Sequence, residues 1–402
     1  MKANTEPAPL RRAGWHRRTG VLPLGYLAMI VVIGLVHPFV PQSRWLLIHL
    51  LLLGAVTNAI LLWSTHFAAA ILRTTTGGRR GEAARLVVLN AGVLAVLTGG
   101  SAGPAWVGVA GAAAVFAAVI AHLWALAAQV RRALPARFAV TVHYYLAGGV
   151  ALLTGIPAGA WMLMIDADQR PRLLLFHAHV NLLGWVTLTV LGTVLTLWPT
   201  VLRTRMIEGA GRAAARALPL CLTGLAFLGV GTLAWWPPVA VAGLACVAAA
   251  VIVVAVPAVG TARQRPPASF TTWSIAAGMG WLLIALAWDA AAMLTAHSAA
   301  AAADRFDAVV VPFGGGFVAQ ILLGALAYLL PMVLGGGPAP VRERTARLDR
   351  HWPQRVTMAN LALAVYLLPV PPYVRITTSL LILVALVQFL VPALRVLSSR
   401  TR

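Results

Sequence analysis

His49-Leu-Leu-Leu-Leu-Gly54 and His179-Val-Asn-Leu-Leu-Gly184 stand 130 residues apart in the same frame. The gap-free match continues through Val56-Thr57 against Val186-Thr187 and closes at Leu72-Arg73-Thr74 against Leu202-Arg203-Thr204, with 10 of 26 aligned residues identical. Both stretches are apolar enough to lie in a bilayer, where an imidazole is costly. A histidine kept at one position in two copies of a unit therefore points to a ligand or a polar partner.

Composition sets the class. Of 402 residues, 60% are hydrophobic and 10% charged, a balance that a polytopic membrane protein needs and a water-soluble domain cannot hide. Apolar runs of roughly 20 residues or more, enough to cross a bilayer, fall at about twelve places: 21–41, 45–72, 84–100, 104–130, 138–165, 172–201, 215–235, 238–260, 270–296, 309–335, 354–370 and 374–396. Gly and Ala are abundant and no alternating pattern appears, so the spans read as helices and the fold as an all-α polytopic membrane bundle. The two cysteines, Cys221 and Cys246, sit inside apolar runs and read as small core residues.

Net charge is +21, and its distribution assigns it to topology rather than to nucleic-acid binding. Alternate loops hold Arg73, Arg79, Arg80 and Arg85; Arg131, Arg132 and Arg137; Arg203, Arg205, Arg212 and Arg216; Arg263 and Arg265. The same side takes Arg342, Arg344, Arg347, Arg350 and Arg355, then Arg395, Arg400 and Arg402. With Lys2, Arg11, Arg12, Arg17 and Arg18, 26 of 31 basic residues fall on that side, which predicts both termini in the cytoplasm of a plasma-membrane protein. No small-residue cleavage pattern follows the basic N-terminal segment, so the first span reads as uncleaved. The expected organisation is a cytoplasmic segment at 1–20, one transmembrane domain over 21–396 and a tail at 397–402.

Four spans fit the repeat spacing, giving three four-helix units near 21–137, 138–265 and 266–396. Span 10 carries Ala319-Gln-Ile-Leu-Leu-Gly324, which places Ala319 where the histidine stands in the other copies. Depth then sorts the histidines. His49, His177 and His179 fall in the outer parts of spans 2 and 6, with His37, Asp289 and His297 at neighbouring depth; His66, His122 and His143 fall in the inner half. The first group suits iron in haem or copper as an outer metal cluster, and the second is a weaker inner one. Residues two apart on a helix point about 200° apart, so His177 and His179 face different sites unless the helix unwinds. Asp289, an acid inside a span, reads as a proton relay or a histidine-orienting group.

These phrases resemble subunit I of the haem-copper oxidases, whose second span holds a low-spin haem on a histidine placed as His49 is in Arg44-Trp-Leu-Leu-Ile-His49. His177-Ala-His-Val-Asn-Leu-Leu-Gly-Trp185 and Gly-Gly-Gly-Phe-Val-Ala-Gln-Ile-Leu-Leu-Gly-Ala-Leu at 314–326 are more similar to a divergent branch. That branch comprises membrane modules beside or fused to copper nitrite reductase-like multicopper oxidases, related to NnrS proteins. The resemblance implies haem b and/or copper on His49, His177 and His179. It also implies an oxidoreductase role in electron transfer or nitrogen-oxide and copper metabolism, with a separate multicopper oxidase as partner. Span 10 has no histidine, span 7 lacks a histidine pair, and no tyrosine follows His177 or His179 at the cross-link distance, so no complete oxygen-reducing centre is implied. Two other readings stand beside it: a transporter using intramembrane groups such as Asn58, Asn90 and Asp289, and a non-catalytic subunit that docks a copper oxidase.

Overall fold

The computed structural model describes residues 8–75, 78–134 and 138–398, with side chains from Gly14 onward. Lys2, Arg137, Arg400 and Arg402, counted above for topology, lie outside those residues, as do the side chains of Arg11 and Arg12. Among the described residues every regular element is helical, and eleven helical segments are long and apolar enough to cross a membrane. They are α1 (Gly14–Phe39), α2 (Ser43–Leu72), α3 (Arg79–Ser101), α4 (Ala105–Arg132), α5 (Val140–Met162), α6 (Ala167–Val201), α7 (Ala210–Leu233), α8 (Pro237–Gln264), α9 (Phe270–Thr295), α10 (Ala299–Leu334) and, after two shorter helices, α13 (Pro372–Ser398). The shorter pair are α11 (Pro338–Asp349) and α12 (Trp352–Tyr366). The chain is thus an all-α polytopic bundle whose surroundings are a lipid bilayer.

One expected span is corrected. The run at 354–370 yields only α12, 15 residues, or about 22 Å against a hydrocarbon core of about 30 Å. Pro369, Pro371 and Pro372 explain the stop, because a residue before proline is pushed out of the helical region. In the other direction, α10 begins ten residues before the expected 309. Ser298 caps it, its Oγ accepting from the Ala301 amide at 3.1 Å, and the Ala299–Ala303 run propagates it through Asp304, Arg305 and Asp307.

Three of the long helices share one backbone irregularity. Each of α2, α6 and α10 is interrupted by a π-helical stretch, at Leu50–Val56, Val180–Thr187 and Pro312–Ala319. Sequence explains two of the three directly. The matched threonines donate Oγ1 to the carbonyl five residues back, Thr57 to Leu52 and Thr187 to Leu182, both at 2.9 Å. That is the spacing a π turn needs in place of the usual four. All three helices then close on a buried leucine followed by a residue of positive φ: Leu72 and Arg73 (φ 53°), Leu202 and Arg203 (φ 54°), Leu334 and Gly335 (φ 58°).

These landmarks correct the register of the third copy. The step from Leu202 to Leu334 puts Val311, not Ala319, where His179 stands. Gly324 matches Gly192 instead of Gly184. A Cβ on Gly192 would lie 3.3 Å from the Thr141 carbonyl oxygen, and one on Gly324 would lie 3.1 Å from that of Thr271. The Leu-Gly step at 323–324 misled because leucine and glycine are frequent in every span; the imidazole is still missing from the third copy.

The helices gather into two compact units, whose limits cut across the repeats. The first comprises Met1–Ala59, Pro267–Met279 and Gly314–Arg402. Its packing includes Tyr26 against Gly54, the stacked rings of Phe270 and Phe389 at 5.9 Å, and a reciprocal amide pair between Gln320 and Asn360 at 3.0 and 3.1 Å. The Arg355 guanidinium lies 4.2 Å from the Phe270 ring centre. The second unit comprises Ile60–Pro266 and Gly280–Phe313. Two hairpins in it touch backbone to backbone through matched small residues. A Cβ on Gly92 would lie 2.8 Å from the Gly111 carbonyl oxygen, and one on Gly224 would lie 2.7 Å from that of Gly243. One turn pair further on, Gly99 meets Gly108 and Gly231 meets Ala240 in the same way. Small residues let helices approach closely enough for dispersion to hold them where no hydrophobic drive exists.

Candidate functional site

In the second unit, His179 ends the α-helical turn that precedes the π stretch of α6. Its Nδ1 lies 2.5 Å from the Leu175 carbonyl oxygen, and Nε2 lies 2.6 Å from Oδ2 of Asp289 on α9. Both side chains are 1% exposed. A carbonyl oxygen can only accept, so Nδ1 carries a proton. The Nε2–Oδ2 contact then holds one further proton, as imidazolium with carboxylate or as imidazole with carboxylic acid. Asp289 Oδ1 is buried without a hydrogen-bond partner. The Phe306 ring, 5.0 Å from that of His179, closes the apolar side. Asp289 is therefore an interior group and not one solvated at a water boundary.

His177 turns the other way, as the 200° argument requires. Its Nδ1 donates to the Gly155 carbonyl of α5 at 2.9 Å, and the amide nitrogen of Asn181 lies 3.2 and 3.3 Å from its two ring nitrogens. The ring rests on Gly159, where a Cβ would come within 2.6 Å of Cε1. Asn181, at the second position of the π stretch, was not singled out from sequence; its one-turn spacing from His177 is the signal that would have found it.

In the first unit, His49 adopts the posture of His179. Nδ1 donates to the Trp45 carbonyl four residues back at 2.9 Å, and the ring stacks on Trp45 at 4.0 Å. His37, also in that unit, is exposed and bonds through Nδ1 to the Gly34 carbonyl, while His297 in the second unit is exposed at the α9–α10 turn.

The inner histidines take separate neighbours. His122 is buried and bonds through Nε2 to Ser64 Oγ at 3.0 Å, while Ser64 donates to the Ile60 carbonyl. His66 packs edge-on to Trp63 and Phe67 of its own helix, and His143 is exposed on α5. Among the described residues, no three His, Cys, Asp or Glu side chains come together as a group able to hold a metal ion. Cys221 is buried and Cys246 half-buried, both as free thiols. The chain matches no protein-family model and no curated protein.

Proposed function

We propose that the chain is a membrane redox protein of the haem-copper-oxidase-like type, lacking a complete oxygen-reducing centre, in which His49 and His179 would each hold a haem b. The observation that carries this reading is the shared posture of the two imidazoles. Each spends Nδ1–H on a carbonyl of its own helix, which fixes the tautomer and puts the lone pair on Nε2, the arrangement metal-ligating histidines favour. His179 takes the role only when Asp289 yields Nε2. Bound there, haem supplies one-electron transfer. The chain's own residues orient the rings, exclude water and hold a proton at Asp289 or His179. Electron transfer or nitrogen-oxide and copper metabolism, with a separate multicopper oxidase as redox partner, is the setting that fits. The skew of basic residues favours both termini in the cytoplasm.

An optical spectrum with copper analysis of the purified protein tests this. A haem Soret band that is weakened in His49→Ala or His179→Ala and lost when both are changed is the expected result. Preparations with neither haem nor copper would overturn it. The His179–Asp289 pair favours a second reading, a proton-linked transporter in which the shared proton is the coupling ion. Under that reading no cofactor is present and Asp289→Asn abolishes pH-gradient-driven solute uptake.

A further inference from the structure

The identical Leu-Arg-Thr phrases that close α2 and α6 build the same clip twice in the second unit. After α2, left-handed Arg73 turns the chain so that the Thr74 amide bonds the Ala69 carbonyl, and Thr74 Oγ1 donates to Gln129 Oε1 on α4 at 3.3 Å. After α6, the Thr204 amide bonds the Pro199 carbonyl and Thr204 Oγ1 donates to Gln264 Oε1 on α8, also at 3.3 Å. Such caps need only the backbone bonds; the glutamines are extra.

The first copy carries more than a cap requires. Gln129 is 5% exposed, and its Nε2, a donor, is buried with no partner. Leaving an amide donor unmade inside a protein costs about 1–3 kcal/mol, so an acceptor is wanted there. Around the clip the chain ends are all basic: Arg73 on the turn, Arg79 and Arg80 opening α3, Arg131 and Arg132 closing α4, and every one is exposed. The single acid in these segments, Glu82, sits one turn from Arg85. Two turns before Arg131 on α4, Trp124 is 71% exposed with the Arg131 guanidinium 5.8 Å from its ring. An exposed indole beside a cation marks the headgroup level of a bilayer.

We propose that this clip is a binding site for the phosphate of an anionic phospholipid headgroup. Gln129 Nε2 supplies a directed hydrogen bond and the arginines supply the charge. Free inorganic phosphate has the same chemistry; the exposed Trp124 favours the lipid. The second copy has the same frame, but Gln264 is exposed there and Arg265 is bonded to the Arg203 carbonyl at 3.0 Å, so the first copy is the tighter site.

Native mass spectrometry of the full chain, released from detergent containing phosphatidylglycerol or phosphatidylcholine, tests the site. The wild type should retain phosphatidylglycerol and not phosphatidylcholine. Each arginine removed in Arg131→Gln/Arg132→Gln should lower retention about fivefold, in line with the usual worth of a basic residue at an anionic surface. Gln129→Glu, which keeps the shape and inverts the donor, should also lose the lipid while remaining monodisperse. Equal retention of both lipids, or retention unchanged in the exposed arginine variants, would overturn the proposal. Displacement of the lipid by millimolar inorganic phosphate would overturn its lipid source.

Discussion

Nε2 of His179 and Oδ2 of Asp289 share a proton at 2.6 Å between α6 and α9, in the interior of the second unit. Residues 110 apart in sequence are thus tied by one contact that neither hydropathy nor spacing announces.

Removing one member of a buried ionic pair leaves the other uncompensated and costs about 3–5 kcal/mol. Asp289→Ala should therefore destabilise the detergent-solubilised protein by that order in a thermal or denaturant titration. His179→Ala/Asp289→Ala together should cost less than the sum of the single changes, because the two act as a unit.

The threonines of the π stretches give a second test. Thr57→Val and Thr187→Val keep the shape but delete the Oγ1 bonds to Leu52 and Leu182. Each should lower stability by about 1 kcal/mol. If the reading of His49 and His179 as haem ligands holds, each should also shift the absorption of the haem held by the neighbouring imidazole.

Glycine-to-alanine changes should split into two classes. Gly92→Ala and Gly224→Ala push a Cβ against a facing backbone carbonyl, at 2.8 and 2.7 Å, and should destabilise the hairpins. Gly280→Ala on α9 meets nothing within 4 Å and should be neutral or stabilising by up to about 1 kcal/mol, the usual helix gain. Equal Tm changes across the set would contradict the packing described for these hairpins.

Gly159→Ala is a probe of His177 alone. The new methyl would fall 2.6 Å from Cε1 of the imidazole, so the ring must leave Gly155 and Asn181. A loss of copper or haem in this variant with His179 intact would assign His177 a ligand role. Unchanged cofactor content would assign it to packing.

Class, most span positions and the like roles of Thr57 and Thr187 were legible in the sequence, because apolar length and the His/Leu-Gly/Val-Thr frame are local signals. Span 11 was not, since hydropathy counts residues and takes no notice of Pro369, Pro371 and Pro372 cutting the helix. The third register was misplaced because a Leu-Gly step recurs in many spans, whereas the informative landmark, a residue of positive φ after a buried leucine, is Arg in two copies and Gly in the third. The two faces of His177 and His179 followed from helical geometry. Gly155 did not, because packing between helices brings it to His177; Asn181 was within reach of the one-turn spacing, and Asp289 was placed beside the histidines by depth alone.

Each π stretch amounts to one surplus residue worked into a helix, rotating everything beyond it by about 100° relative to an unbroken one. Side chains before and after each stretch therefore face directions that an uninterrupted helix of the same length could not give them.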